Sequence, residues 1–308
     1  MGKRLLSMTA TEMQQLTKQE LFDAIAGSEG RILAAETIGV GMPLLSDITN
    51  AEFASAMGAD MLLLNLFDVQ NPVIMALPKV EPKETVREVK RLTGRLIGIN
   101  LEPVDEKIIA DSGEAIWGMS NGRYATVENA RLASEMGVDM IVLTGNPGNG
   151  VSNEAITASL TEIHKAVGDN VLLVAGKMHA SGVVGEGGEN IITKEDVLQF
   201  ANAGADVILL PAPGTVPGIT TEYIRSLVSY AHSLGKLTIT SIGTSQEGAD
   251  TDTIKRIALE CKMTGTDIHH IGDSGYVGMA LPENIMAYGV TIRGIRHTYH
   301  RMASSILR

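Results

Sequence analysis

Continuous runs of apolar residues recur along the chain, and four of them directly follow a Gly-x-Asp tripeptide. Because the apolar residues are continuous rather than alternating, these runs are typical of parallel strands buried on both faces. An amphipathic helical pattern precedes each tripeptide, and the glycine is suited to end that helix in a left-handed conformation. The pattern predicts four helix–strand units that end in GADMLLLN (58–65), GVDMIVLT (137–144), GADVILLP (204–211) and GTDIHHIG (265–272).

Four further strands are predicted between these units, over residues 31–39, 95–103, 170–179 and 236–245. Helical patterns lead into the last three of them and follow the eighth strand, at 84–93, 153–167, 221–234 and 282–305. Strands that alternate with helices, with short loops before the strands and longer loops after them, predict an α/β fold, a single (β/α)8 TIM barrel. An open doubly wound sheet would need a glycine fingerprint after the first strand, and TIGVGMPLL is a poor match to it.

The domain organisation is simple, because no linker marks a second domain. Residues 1–30 are predicted to form an N-terminal helical extension with TKQELFDAIA as its helix, and residues 31–308 to form the barrel. A single cysteine, Cys261, excludes an internal disulfide and favours a reducing cytoplasm. Its helical surroundings predict a buried structural thiol.

The formal net charge of −11 argues against a nucleic-acid partner, because contacts to phosphates require clustered lysine and arginine side chains. No run of about 18 apolar residues is present that would span a membrane. These features predict a cytoplasmic globular protein, and because barrels often associate, we expect a homo-oligomer.

Polar and charged residues stand where the predicted strands end, which in (β/α)8 barrels is the face that carries the reactive residues. Side chains alternate along a strand, so residues of one parity share the interior of the barrel and its mouth. By this argument His270 points inward and His269 points toward the helices, unless a bulge reverses the eighth strand. The predicted catalytic residues are Glu36, Glu102, Lys177 and His179, and the predicted substrate-binding residues are Asn65, Asn100, Thr144, Asn146 and His270.

The prediction centres on Lys177, because an inward lysine can form a Schiff base, transfer protons after desolvation or bind an anion. Glu36 or Glu102 is suited to abstract a proton next to a carbonyl group. A salt bridge between Lys177 and a glutamate that only holds strand ends together is one open alternative. Another is a divalent ion such as Mg²⁺, held by Glu36, Glu102, His179 and Asp273. No motif requires a cofactor.

Glycine-rich segments follow the seventh and eighth strands, SIGTSQEGADT (241–251) and GDSGYVG (272–278). Exposed backbone N–H groups and a helix that begins near residue 250 favour phosphate binding at this place in a barrel. The loop that contains Trp117 and the segment GVVGEGGEN after His179 are candidate lids. The predicted phosphate-binding residues are Gly243, Thr244, Ser245, Gly272, Asp273, Ser274 and Gly275.

With these segments and its repeat architecture over residues 31–290, the chain resembles the phosphate-binding (β/α)8-barrel enzymes, and we expect a bacterial family of such barrels. GDSGY is also similar to the GDTGYG segment of the phosphoenolpyruvate mutase and isocitrate lyase group. It lies at the last strand here rather than early in the chain, and the cysteine motif of the lyases is absent. No residue roles are therefore carried over from that group.

The residues and the resemblance together predict a lyase, aldolase or isomerase that acts on a small phosphorylated or carboxylated metabolite through a Lys/Glu/His site. A non-catalytic regulator that binds a metabolite would keep the same pocket without turnover, and the fold cannot separate the two. In either case the expected partner is a small anionic metabolite, with no nucleic acid and no membrane.

Overall fold

Eight parallel strands pair in sequence order, and the eighth pairs again with the first, so that the sheet closes into a barrel. This computed structural model describes residues 2–105, 119–182, 185 and 187–308. The predicted α/β fold, a (β/α)8 TIM barrel, is therefore confirmed. The strands are β1 (Ile32–Ile38), β2 (Met61–Asn65), β3 (Leu96–Leu101), β4 (Met140–Leu143), β5 (Leu172–Gly176), β6 (Val207–Pro211), β7 (Leu237–Ile242) and β8 (Ile268–Ile271).

Helices surround the barrel and follow the strands as the amphipathic pattern predicted. The helix predicted at 153–167 has those bounds in the structure, and the others differ from their predicted bounds by at most two residues. Within the described residues the α-helices are α1 (Ala10–Met13), α2 (Lys18–Ala26), α3 (Asn50–Ala56), α4 (Thr85–Thr93), α5 (Val127–Met136), α6 (Asn153–Val167), α7 (Lys194–Ala203), α8 (Thr221–Ser233), α9 (Thr251–Thr264) and α10 (Pro282–Ala303).

The strands bury one face inside the barrel and the other against the helices. On β2, Met61 and Leu63 pack into the interior cluster, whereas Leu62 and Leu64 pack into the outer cluster beneath the helices. Both faces are apolar, which explains why the runs are continuous in sequence rather than alternating.

The N-terminal residues pack into the interior cluster together with the first inward residue of each strand. The helix α2 begins after Thr17, whose side chain accepts a hydrogen bond from the backbone N–H of Glu20. Because its apolar side chains meet Ile32 and Ile268, this segment closes the N-terminal end of the barrel. The N-terminal side chains in the cluster are Leu5, Leu6, Met8, Met13, Leu21, Ala24 and Ile25.

The repeated Gly-x-Asp tripeptide has one structural role at all four positions. Each aspartate carboxylate accepts a hydrogen bond from the backbone N–H of the second residue of the preceding strand, at distances between 2.7 and 2.9 Å. The backbone N–H of each aspartate donates to the carbonyl oxygen of that same residue. Each glycine has φ between 86° and 109°, as predicted for a left-handed helix end. The four pairs are Asp60–Leu33, Asp139–Ile97, Asp206–Leu173 and Asp267–Thr238.

Asp60 is the most buried of these aspartates, and two arginines of α10 compensate its charge. Arg301 Nε lies 2.7 Å from Asp60 Oδ1, and Arg293 Nη1 donates to Asp60 Oδ2. Burial alone would raise the pKa of Asp60, but the two arginines hold it below its usual value. Arg301 also donates to the carbonyl oxygen of Leu5, 2.9 Å away, and so links α10 to the N-terminal segment.

One smaller expectation is also met within the described residues. Cys261 is buried on α9, and burial raises the pKa of its thiol to about 11. No described helix combines the length and the apolar character that crossing a bilayer would take.

Asp60→Asn should lower the free energy of unfolding by about 3–5 kcal/mol, because it leaves two buried arginines without their counter-charge. Asp206→Asn is the matched control: Asp206 makes the same backbone contact, but its partner Lys18 is 17% exposed, and a loss of about 1 kcal/mol is expected. Urea unfolding followed by circular dichroism measures both losses. Equal losses would contradict the role of Asp60 as a buried counter-charge.

Candidate active site at the mouth of the barrel

A cavity of about 260 Å³ opens at the C-terminal ends of the strands, on the face that the sequence predicted to carry the chemistry. Its lining comes from the ends of β1 to β5 and from the loops after β7 and β8. Ten of the predicted site residues line it: Glu36, Asn65, Asn100, Glu102, Thr144, Asn146, His179, Gly243, Gly272 and Asp273. The residues that the sequence argument missed are Leu66, Arg123, Gly145, Met178 and Glu247.

The end of β5 differs from its prediction, and this changes the position of Lys177. The strand ends at Gly176, three residues before the predicted end, so the alternation of side chains does not continue beyond it. Met178 and His179 line the cavity; Lys177 is 2% exposed and is not part of the lining. Burial, and then the positive charge of Lys177, lower the pKa of His179. The charge of Lys177 therefore acts on the site, while its catalytic role stays a prediction.

Met178 explains the glycine at position 243. A β-carbon on Gly243 would lie 2.0 Å from Met178 Sδ, so a larger residue would displace the methionine from the wall of the cavity. The packing of Met178 therefore gives one reason for the glycine at position 243. This reason differs from the phosphate contact predicted from sequence.

Glu36 and His270 form a pair at the floor of the site. Both point into the barrel, from β1 and β8, and His270 Nε2 lies 3.3 Å from Glu36 Oε2. His269 points the other way, with Nδ1 3.2 Å from the hydroxyl of Tyr288, so the alternation predicted for β8 is correct. Its complete burial lowers the pKa of His269 to about 4.

Asp273 and Asn65 form a second pair, at the ends of β8 and β2. Asn65 Nδ2 donates to Asp273 Oδ2 at 2.8 Å, and the backbone N–H of Gly275 donates to Asp273 Oδ1 at 2.7 Å. Burial, followed by the negative charge of Glu36, raises the pKa of Asp273 to about 6. The amide oxygen of Asn65 accepts from the backbone N–H of Leu66, whose φ is 54°, so the orientation of the amide is set.

Glu102 is held by Arg123 rather than facing the cavity as an isolated carboxylate. Arg123 Nη2 lies 2.5 Å from Glu102 Oε1, and the backbone N–H of Glu102 donates to the carbonyl oxygen of Arg123 at 2.8 Å. Arg123 adds a cation to the cavity lining from the segment just before α5. Strand periodicity could not predict it, because this segment is not a strand. Glu102 is therefore less suited than Asp273 to exchange a proton with a substrate.

The loops predicted to bind phosphate use several of their donors internally. The backbone N–H of Ser274 donates to Glu247 Oε1 at 3.1 Å, and that of Gly275 donates to Asp273. Thr244 donates to the carbonyl oxygen of Thr215 at 3.1 Å. Ser245 and Ser274, with φ of 77° and 57°, line no part of the cavity. Carboxylates occupy this end of the site, which disfavours a phosphate dianion there.

Five buried polar atoms, of His270 and of four residues that line the cavity, have no hydrogen-bond partner within the described part of the chain. Such atoms are rare in folded proteins, because an unsatisfied buried group costs about 1–3 kcal/mol. Polar groups of a ligand in the cavity would supply the partners that these atoms lack. The five are Asn100 Oδ1, Arg123 Nε, Thr144 Oγ1, Glu247 Oε2 and His270 Nδ1.

The predicted Mg²⁺ ligands do not form a shared site as they stand. Across residues 2–105, 119–182, 185 and 187–308, no three His, Cys, Asp or Glu side chains come together as a group that could hold a metal ion. Most of the first candidate lid, residues 106–118 with Trp117, lies outside the described residues, as do Val183, Val184 and Glu186 of the second.

The architecture is similar to that of solved barrel enzymes. One is a 2,3-dimethylmalate lyase, a PEP mutase/isocitrate lyase superfamily member, with TM-score 0.51, 15% identity, and coverage of 86% of this chain and 80% of that one. Another is a thiamine phosphate pyrophosphorylase from Pyrococcus furiosus, with TM-score 0.48, 14% identity, and coverage of 86% and 96%. At 15% identity the likeness to the 2,3-dimethylmalate lyase shows the fold alone.

Sequence comparison places the chain in a family. No curated protein matches it in sequence. A family model described as "Domain of unknown function (DUF7916)" matches residues 6–308, which is nearly the whole chain. The match includes the N-terminal segment as well as all eight strands and the residues of the cavity, and on this basis the chain belongs to the DUF7916 family.

Proposed function

We propose that the protein is a lyase or isomerase that moves a proton at a carbon next to the carbonyl group of a small carboxylated metabolite. The observation that carries this proposal is Asp273, a carboxyl group on the wall of the cavity whose pKa is raised to about 6. A general base works best when its pKa lies near the working pH, and carboxyl groups reach that range through burial and a neighbouring negative charge. Asp273 has both.

The other residues take roles that follow from their contacts. Asp273 receives the proton, and Asn65 orients it through the 2.8 Å hydrogen bond. Asn100 and Thr144 offer unpartnered polar atoms to the substrate. On the β3–β5 side, Arg123 and His179 face the cavity, and Lys177 adds a buried positive charge next to His179. Arg123 Nε, which has no hydrogen-bond partner among the described residues, suits the carboxylate of the substrate.

A carboxylated substrate is favoured over a phosphorylated one for a local reason. The backbone amides of Ser274 and Gly275 are occupied by the carboxylates of Glu247 and Asp273. A phosphate dianion would have to displace them and lie against their negative charge. Mg²⁺ that arrives with the substrate would change this balance, and it is therefore included in the test below.

Incubation of the protein in D₂O with a panel of 2-oxo and 2-hydroxy carboxylic acids should replace the proton next to the carbonyl or carboxyl group for at least one of them. Proton NMR follows the loss of that signal, with Mg²⁺ or EDTA present in parallel samples. Asp273→Asn should slow the exchange at least about 100-fold, because it removes the base. Exchange at the wild-type rate in the variant would contradict the proposal, and ligand binding without any exchange would favour a metabolite-binding regulator.

The raised pKa of Asp273 also predicts how stability depends on pH. The folded state holds this proton more tightly than the unfolded chain, so the stability that this group contributes is fully present below about pH 4 and is lost as the pH rises through 6. Relative to the wild type, Asp273→Asn should therefore gain about 2–3 kcal/mol between pH 4 and pH 7. Urea unfolding at pH 4, 5, 6 and 7 measures this difference, and a constant difference would show that Asp273 titrates normally.

A further inference from the structure

Glu247 is a carboxyl group of the cavity that the sequence argument did not identify. It lies in the 3₁₀ turn Gln246–Gly248, after β7, and is only 4% exposed although it lines the cavity. An ionisable group at this depth is costly to the fold unless it is paired or used. Within the described residues Glu247 has no cationic side chain within salt-bridge distance, in contrast to Glu102.

The two carboxyl oxygens of Glu247 have different surroundings. Oε1 accepts a hydrogen bond from the backbone N–H of Ser274 at 3.1 Å. Oε2 is buried and has no partner among the described residues. The carboxyl group is thus anchored by one oxygen, and the other is the oxygen left for a ligand.

The backbone around Glu247 is held in place by Asn284, a fully buried residue near the start of α10. Asn284 Nδ2 donates to the carbonyl oxygens of Glu247, at 2.9 Å, and Ala249, at 2.8 Å. Gly272 is required by β7 rather than by this carboxyl group, since a β-carbon there would lie 2.6 Å from the carbonyl oxygen of Ile242 but 3.4 Å from Glu247 Oε1, which is an ordinary contact.

The loops on either side of this carboxyl group carry backbone strain. Ser245 and Ser274 both have positive φ, at 77° and 57°, in a region that non-glycine residues enter at a cost of about 1–2 kcal/mol. Such strain persists only where surrounding contacts impose it, and it is concentrated at functional sites. The two serines flank the contact between Glu247 and the loop after β8.

We propose that Glu247 is the second catalytic carboxyl group of the site and works with Asp273; this inference rests on the proposed function above. As Asp273 takes the proton, the electron pair of the C–H bond forms the C=C bond of an enol. The carbonyl oxygen then receives the proton of the Glu247 carboxyl group, and the reverse step returns both protons. The Glu247 proton passes from Oε2, the oxygen without a protein partner.

Charged and titratable groups around the pair favour this division of roles. From the barrel floor Glu36 raises the pKa of Glu247 and His270 lowers it, and Glu247 in turn acts on the pKa of Asp273. Burial, the largest cause, raises the pKa of Glu247, which favours the protonated form that a proton donor needs. Asn65 donates to Asp273 and so stabilises the charged form that a base needs.

The test compares Glu247→Gln with Glu260→Gln, which removes the same charge from a partly exposed position on α9. Glu247→Gln should reduce the rate constant of exchange in D₂O at least about 100-fold with little change in the apparent KM, whereas Glu260→Gln should leave both unchanged. Glu247→Asp, which keeps a carboxyl group, should retain more activity than the glutamine variant. Circular dichroism and urea unfolding confirm that each variant is folded.

A second measurement needs no substrate. The carboxyl carbons of Glu247 and Asp273, followed by ¹³C NMR of labelled carboxyl groups in the wild type, should show Glu247 titrating at the higher pH, because the proposal needs Glu247 protonated while Asp273 is charged. Titration of Glu247 below Asp273, or exchange at the wild-type rate in Glu247→Gln, would overturn the inference while leaving the proposed function intact. Absence of exchange in the wild type with every acid would instead reject the proposed function, and the inference with it.

Discussion

One hydrogen bond, repeated four times, organises the barrel. An aspartate at the start of each even strand accepts the backbone N–H of the second residue of the preceding odd strand. This contact sets the stagger between the two strands, and the glycine two residues earlier lets the chain leave the preceding helix at the required angle. Since the unit occurs four times, the barrel consists of four equivalent quarters.

Carboxylates have different partners at the two ends of the barrel. Those at the N-terminal end stabilise the fold, whereas those at the mouth belong to the candidate active site. At the N-terminal end each aspartate of the repeat has a basic partner: Arg293 and Arg301, Lys90, Lys18 or His232. At the mouth, Glu102 also has an arginine partner, but Glu36 meets a histidine, Asp273 meets an amide, and Glu247 meets a backbone N–H. A carboxyl group without a strongly basic partner can change its protonation state, whereas a carboxyl group bound to arginine stays charged.

Asn284 and Asn65 hold the segments that carry these carboxyl groups in position. Each asparagine makes two hydrogen bonds that fix a neighbouring segment, Asn284 to the loop after β7 and Asn65 to Leu66 and Asp273. The cost of burying unpaired polar atoms at the mouth is offset by the extensive apolar packing of the inner and outer clusters. On the proposed function, a ligand bound at the mouth would supply hydrogen-bond partners for these atoms.

The sequence by itself determined the fold, because continuous apolar runs and Gly-x-Asp tripeptides depend only on local order and on burial of both strand faces. It also located the mouth and residues such as Glu36, Asn65 and Asp273, since strand ends and side-chain parity can be counted along the chain. Tertiary structure alone decided that β5 stops at Gly176, which moves Lys177 out of the lining, and that Arg123 neutralises Glu102. It alone placed Glu247 in the cavity, because a turn has no periodicity and its side-chain direction is set by distant partners such as Ser274 and Asn284.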